Sequence, residues 1–400
     1  MRTGWSSVPF EDVCVSMTKG PFGSDIKKSL YVPKSEDTYK VYIQANAIEK
    51  DACIGEYYIS KDYFESKMFR FEVKPNDYII TCDGTLGRYL RLPEDIERGI
   101  ISASLLKVTL NNNRIVPRFF EFLWAGFIMG KLTSDIRNSA LVHLPSASKI
   151  GKVSVPLPSL DEQEHIVAEL DLLQGIIDKQ KAQLKELDTL AQSIFYDMFG
   201  DPAENEKGWE VKEMGELFDI GSSKRVFESQ WTDRGVPFYR AREIVRMSKN
   251  EPIEAPIFIS EELFKEYSMK YGIPSAGDMM ITAVGTLGVS YIVKDTDRFY
   301  FQDGNILWFK SKGLCEPRFI KDEYATDYVM NQIRGNANAS VVGTYTIMNA
   351  NRTRVVVPPM KLQREYVEKV EAIDKQKASI NESIVQTQKL FDYTMDKYFG

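Results

Sequence analysis

Four hundred residues exceed what one ordinary core uses, and a chain that is 43% hydrophobic and 27% charged is globular rather than disordered. No stretch approaches the roughly 18 apolar residues of a membrane span. The start, MRTGWSSVPF, carries no apolar signal core, and the four cysteines (Cys14, Cys53, Cys82, Cys315) lack metal-ligand spacing, so a cytoplasmic chain with reduced thiols is expected. The net charge of −6 argues against a nucleic-acid partner only until it is divided. Residues 159–200 hold nine acids against three bases, an excess equal to the whole imbalance, whereas residues 222–249 hold seven bases against three acids.

Through residues 1–158, short apolar runs alternate with turn signals. Asp77–Thr81 and Leu105–Leu110 read as strands and Arg118–Lys131 as an amphipathic helix. The run Gly84-Thr-Leu-Gly87 follows a strand ending in Thr and precedes Arg88. Glycine lets backbone approach a ligand closely, and a threonine offers a donor to phosphate or a base edge. Thr85, Gly87 and Arg88 are therefore candidate DNA contacts, with a hairpin turn kept for folding as the alternative. Lys19, Gln44 and Asn46 join them, as do Arg137, Asn138, Ser139 and His143, because such side chains reach phosphates and base edges. An ordinary polar surface loop is the alternative there.

From Ser159 the pattern changes. Ile166, Leu170, Leu173, Ile177, Gln180, Leu184, Leu187, Ala191, Ile194 and Met198 alternate steps of four and three, a coiled-coil seam with Gln180 as its polar exception. Such a helix of forty residues spans about 60 Å. Ser159 before Leu160-Asp161-Glu162 marks its start.

Past Asp201-Pro202 the chain repeats itself. Gly4-Trp5 returns as Gly208-Trp209, Gly84-Thr-Leu-Gly87 as Gly285-Thr-Leu-Gly288, and Ile136-Arg137 as Ile333-Arg334. Pro158 and Gln163 return as Pro358 and Gln363, Ile177-Asp-Lys-Gln-Lys-Ala182 as Ile373-Asp-Lys-Gln-Lys-Ala378, and Phe199-Gly200 as Phe399-Gly400. Collinear matches in such number mark a duplication. Within the second copy Met279–Ala283, Val289–Val293 and Ile306–Phe309 read as strands and Arg318–Ile333 as a helix. Arg240 and Arg242 fall in a strand-to-loop segment that matches Gln44 and Asn46. With Lys224, Arg225, Thr286, Gly288, Arg334, Asn336 and Asn338 they complete the candidate DNA contacts. Gly221-Ser-Ser-Lys-Arg225 reads equally as a phosphate-touching turn or a plain loop. A second helix, about 361–398, has the weaker seam Val370, Ile373, Ile380, Ile384, Thr387, Phe391, Tyr398. Each long helix is the natural partner of the other.

Catalytic signatures are missing. There is no phosphate-binding GxxxxGK[ST] loop, no Asn/Asp-Pro-Pro-aromatic motif and no glycine-rich cofactor fingerprint, and His143 and His165 are too few for a triad or metal centre. The expected fold is α+β. Two similar globular domains, residues 1–158 and 201–358, are separated by a long antiparallel two-helix coiled coil, residues 159–200 and 359–400, with internal pseudo-two-fold symmetry.

The Gly-Trp opening, Gly-Thr-Leu-Gly, Val155-Pro-Leu-Pro-Ser-Leu-Asp-Glu-Gln163 and Tyr196-Asp-Met-Phe-Gly-Asp-Pro202 together resemble the specificity subunit of type I restriction–modification enzymes. The second copy departs at Val357-Pro-Pro-Met-Lys-Leu-Gln363 but keeps its Pro and Gln. The resemblance implies two target-recognition domains, each reading one half of a bipartite asymmetric site on double-stranded DNA. It implies that the helices space them and dock two modification subunits that methylate adenine N6 with S-adenosylmethionine, with restriction subunits using ATP and Mg²⁺ in systems that have them. This chain would hold no cofactor or metal and be non-catalytic. Spacer and docking residues would be Gln163, Ile166, Leu170, Leu173, Ile177, Gln180, Leu184, Leu187, Ile194 and Phe199, with Gln363, Val370, Ile373, Ile380, Ile384 and Phe391. The rival readings are a coiled-coil scaffold with two heads for non-DNA ligands and a nuclease with unrecognised carboxylates.

Overall fold

The structure, a computed structural model, describes residues 5–51, 53–136, 143–253, 256–335 and 343–400. The chain forms two compact units, residues 1–181 with 382–400 and residues 182–381. The long helices run Leu160–Phe199 and Met360–Phe399, so each unit owns a half of each helix.

The first unit contains strands β1 (Ser6–Pro9), β2 (Cys14–Lys19), β3 (Thr38–Tyr42), β4 (Tyr57–Ser60), β5 (Tyr78–Thr81), β6 (Tyr89–Arg91), β7 (Gly99–Ile101), β8 (Leu105–Leu110) and β9 (Ser154–Leu157). They form an antiparallel sheet of order β2-β8-β5-β6, a sheet β4-β3-β7 in which β3 and β7 are parallel, and a ribbon β1-β9. The ribbon ties the start of the unit to the strand leading into the first long helix. The four-stranded sheet is covered on both faces, as the continuous apolar run of β5 requires. Tyr78 and Ile80 join a cluster with Phe10, Phe119, Phe120 and Trp124, while Ile79 faces Val41, Ile59, Phe64 and Phe71. Ile166, Leu170, Tyr398 and Phe399 belong to the first of these clusters, so the long helices are part of the core.

The second unit repeats this plan with β10 (Glu210–Glu213), β11 (Phe218–Gly221), β12 (Trp231–Thr232), β13 (Val236–Tyr239), β14 (Ile257–Ile259), β15 (Met279–Thr282), β16 (Ser290–Ile292), β17 (Tyr300–Phe301), β18 (Ile306–Ser311) and β19 (Arg354–Val357). The sheet β11-β18-β15-β16 and the ribbon β10-β19 match their counterparts, and β12-β14-β13-β17 gains one short strand.

Three expectations change. The helix expected at Arg318–Ile333 is two, Pro317–Tyr324 and Asp327–Gly335, because the Ala325 amide turns back to the Asp322 carbonyl (3.2 Å) and the Thr326 hydroxyl bonds that of Glu323 (2.6 Å). In the first unit the helix continues, but through a widened turn at Trp124–Ile128. The segments of Gln44 and Asn46 and of Arg240 and Arg242 run from strand into short helices, Gln44–Ala47 and Ala241–Ser248, rather than into loops.

The heptad seam holds at its start. Ile166, Leu170, Leu173 and Ile177 are buried in the first unit, and Val370 and Ile373 in the second. Along the middle, Gln180, Ile384, Thr387 and Phe391 in the first unit and Leu184, Leu187 and Ile380 in the second are half-buried, as a two-stranded seam leaves them. Gln180 donates to Ser383 Oγ (2.7 Å) and Glu169 accepts from the Tyr398 hydroxyl (2.6 Å), which makes the pair antiparallel in the first unit; the Lys377–Asp188 ion pair does the same in the second. Near Phe199 the seam shifts. Phe195 and Phe199 are buried with Phe319 and Tyr366, whereas Ala191, Ile194 and Met198 are half-buried. There the helix packs on a domain and uses a broad aromatic face instead of a heptad edge.

Candidate nucleic-acid interface

In both repeats the Gly-Thr-Leu-Gly run closes a hairpin over a buried threonine. The Thr81 hydroxyl donates to the Thr85 carbonyl and accepts from Arg88 N (3.0 Å); Thr282 does the same with Thr286 and Val289 N (3.0 Å). Gly84, Gly87, Gly285 and Gly288 have φ of 64°, 75°, 75° and 77°, a region costly for residues with a Cβ. A Cβ on Gly87 would lie 2.3 Å from Met129 Sδ, and one on Gly288 3.0 Å from Met330 Sδ. Gly87 and Gly288 are thus backbone requirements. What the hairpin presents outward is Thr85 with Arg88 in one copy and Thr286 in the other, where half-buried Val289 replaces the arginine.

Around the first hairpin several candidates converge. Cys82 is pushed up to about 11 by burial, against the opposing field of Lys19, which stands exposed at the end of β2. Leu144 N donates to Cys82 O (2.8 Å), and His143 Nδ1 lies 2.6 Å from Asp83 Oδ1, a partner the sequence reading missed. Gln44 Nε2 lies 3.6 Å from where a Cβ on Gly84 would be. Lys19, Gln44, Thr85 and His143 therefore gather about one hairpin. Asn46 does not serve in the same way: its amide accepts from Ile43 N (3.3 Å) and donates to Gly55 O (3.3 Å), which fixes the helix start. Arg137, Asn138 and Ser139 lie outside the described residues.

In the second repeat, Tyr345 N donates to Ala283 O (2.9 Å) in the place of the Leu144 bond. Arg240 and Arg242 both pair with Glu243, which is 3% exposed. Burial works to raise this carboxyl, and the two guanidinium bonds outweigh it, so its pKa is lowered. One buried carboxylate thus orients two arginines and leaves a net positive charge. The glutamate three residues past Arg240 was the available sign, a helix-capping spacing. In the Gly221–Arg225 run the two serine hydroxyls are turned to the backbone: Ser222 and Ser223 donate to Ile306 O (3.0 Å) and Phe301 O (2.6 Å). Lys224 and Arg225 are exposed, the latter paired with Asp303 (2.9 Å). Arg334 is exposed at the end of its helix, and Asn336 and Asn338 lie outside the described residues.

The recurring Trp and Gln positions are structural. Trp209 Nε1 donates to Phe199 O (2.8 Å), and Trp5 Nε1 to Glu162 (2.9 Å). Gln163 accepts from Val116 N (2.8 Å) and donates to Arg114 O and Pro158 O (3.0 Å each); Gln363 accepts from Glu316 N (2.9 Å) and donates to Pro358 O (2.7 Å). Both glutamines are buried and lock each long helix to its domain. Among the described residues there is no group of acids, histidines and cysteines able to hold a metal, no disulfide, and no helix long and apolar enough to cross a membrane.

The type I restriction modification DNA specificity domain matches residues 3–188 and again residues 206–387. A putative type I restriction enzyme specificity subunit of Haemophilus influenzae is 25% identical over 296 residues, covering 72% of this chain and 71% of its own. In fold the chain resembles one from a study of complex assembly and conformational transition of the type I R-M system (TM-score 0.62, 18% identity, 100% and 98% of the two chains covered). It also resembles the type I restriction–modification S subunit from M. genitalium (TM-score 0.54, 14% identity, 100% and 98% covered). Two family domains, filling nearly the whole chain and each carrying the same hairpin, make this a member of the type I restriction–modification DNA specificity family, a non-catalytic component that recognises DNA sequence.

Proposed function

We propose that each repeat reads one half of a bipartite, asymmetric site on double-stranded DNA, and that the long helices space the two readings and dock two modification subunits. Those subunits bind S-adenosylmethionine and methylate adenine N6 in the cytoplasm; restriction subunits using ATP and Mg²⁺ join through them. The observation that carries this reading is the pair of hairpins built on one frame, Thr81 and Thr282, with different residues at the next position, exposed Arg88 against half-buried Val289. A shared frame with divergent readers suits two different half-sites better than one palindromic site. Lys19, Gln44, Thr85, Arg88 and His143 would serve the first half, and Lys224, Arg225, Arg240, Arg242, Thr286 and Arg334 the second.

The test is methylation-aware sequencing of DNA from a host expressing the chain with its modification subunit. Methylated adenines in two fixed half-sites separated by an unspecified spacer are expected. Methylation at a single continuous motif, or none, would overturn the bipartite reading.

A further inference from the structure

Both repeats leave a phenylalanine in solvent between the first strand of the four-stranded sheet and the 3₁₀ turn that follows it. Phe22 is 78% exposed and Phe227 60%. Each lies just beyond the first strand of its four-stranded sheet, β2 or β11, and directly before a single 3₁₀ turn, Gly23–Asp25 or Glu228–Gln230. Each follows a buried residue, Pro21 or Val226, and an exposed lysine three positions back, Lys19 or Lys224. The segments Lys19-Gly-Pro-Phe22 and Lys224-Arg-Val-Phe227 share only the lysine and the exposed phenylalanine, and their register differs: Lys19 opposes Leu106 within β2, whereas Lys224 lies three residues past the end of β11.

An isolated exposed apolar side chain is common, but one in the same loop of both repeats, with a lysine three residues before it, suits a partner that offers both an apolar face and negative charge. In the first unit Phe22 rims a depression of about 560 Å³ together with Lys19, Pro21, Arg70 and Phe71. Among the described residues neither Lys19 nor Arg70 has an acidic partner. A ring beside cations that have no acidic partner, one of them the Arg70 guanidinium stacked on Phe71, matches a polyanion that carries flat apolar faces, and Lys19 links this depression to the hairpin already described. A base, a thymine methyl or a sugar would meet the ring while phosphates meet the ammonium groups.

Resting on the proposed function, we infer that Phe22 and Phe227 are the tips of two DNA-contacting fingers, one per half-site, with Lys19, Arg70 and Lys224 as their phosphate contacts. The test uses the full chain with its modification subunit and a random duplex pool, followed by affinity on the duplex selected by the unaltered protein. Phe22→Ala and Phe227→Ala should each weaken binding about tenfold or more and blur base preference in a different half-site, with Tyr at either position restoring most of the loss. Lys19→Ala and Lys224→Ala should instead lower the slope of log affinity against log salt by about 1, a slope the Phe variants leave unchanged. A doubly substituted Phe variant that binds within about twofold and selects the same duplex overturns the fingers. So does one that keeps DNA affinity but no longer holds the modification subunit, which would make the rings a protein contact. If the unaltered complex selects no bipartite duplex, the proposed function itself fails, which is a different result from fingers that prove silent.

Discussion

Glu323 is the residue whose surroundings fit its chemistry least. It is fully buried, accepts from Val356 N (2.6 Å) through one oxygen, and its Oε2 has no hydrogen-bond partner. Burial pushes its pKa up to about 8, the amide bond opposing. The folded state therefore holds a proton that the unfolded state releases above the ordinary value of 4.5, so the stabilisation is complete below 4.5 and is lost as pH rises through about 8. Glu323→Gln keeps the acceptor for Val356 and removes the titration. The unfolding free energy of the unaltered chain, from urea titrations, should fall between pH 5 and pH 8.5 by an amount on the order of 2–4 kcal/mol, and that of Glu323→Gln should stay nearly level; parallel curves would contradict the assignment. The hairpin glycines give a second residue-scale contrast. Gly84 has room for a methyl group and only its φ to lose, so Gly84→Ala should cost about 1 kcal/mol. Gly87 adds the clash with Met129, so Gly87→Ala should cost about 2–3 kcal/mol in a denaturant titration. The repeated Gly-Thr-Leu-Gly was legible in the sequence; whether its parts face a ligand or the core was not, because that depends on Met129, 42 positions away.

At the scale of elements, legibility followed the range of the interaction. The heptad seam could be read because its partner repeats along one axis, and the strands Leu105–Leu110 and Ile306–Phe309 because both of their faces are buried. Phe195 and Tyr366 could not, since they pack on each other across the two helices off the heptad positions and, with Phe319 of the domain, form an aromatic cluster. The break at Ala325 was hidden for a similar reason: a threonine inside an amphipathic pattern gives no warning that its hydroxyl will bond back three residues. Gln180 shows the energetic side of the seam. Its amide nitrogen is bonded to Ser383 Oγ, while its buried Oε1 has no partner. Replacing both partners by apolar residues should remove this unmet acceptor, so Gln180→Leu with Ser383→Ala is expected to raise stability by about 0.5–1.5 kcal/mol, whereas Ser383→Ala alone lowers it. A double variant that melts below the unaltered chain would show that the polar pair earns its place in net stability.

At the scale of the molecule, the division of each long helix between two units gives the spacing proposal its sharpest consequence. A helix that ends in one core and begins in another can be shortened in its middle without touching either core. The half-buried centre holds Lys179–Lys185 on the first helix and Ile380–Gln386 on the second, one heptad from each, with the Gln180–Ser383 bond inside the excised part. Removing both stretches keeps the antiparallel phase, because the facing positions are deleted together and seven residues restore the heptad frame. The anchors at the domains, Gln163 with Ile166 and Gln363 with Val370, remain. At 1.5 Å per residue the deletion takes about 10 Å from each helix, close to three base-pair steps of B-form DNA. If the helix pair sets the separation of the half-sites, the methylome of the shortened protein should show the same two half-sites with a spacer about three base pairs shorter. An unaltered spacer in an active, folded variant would mean that the domains find their half-sites through their partner subunits or through the DNA, and that the helices serve only as a docking platform.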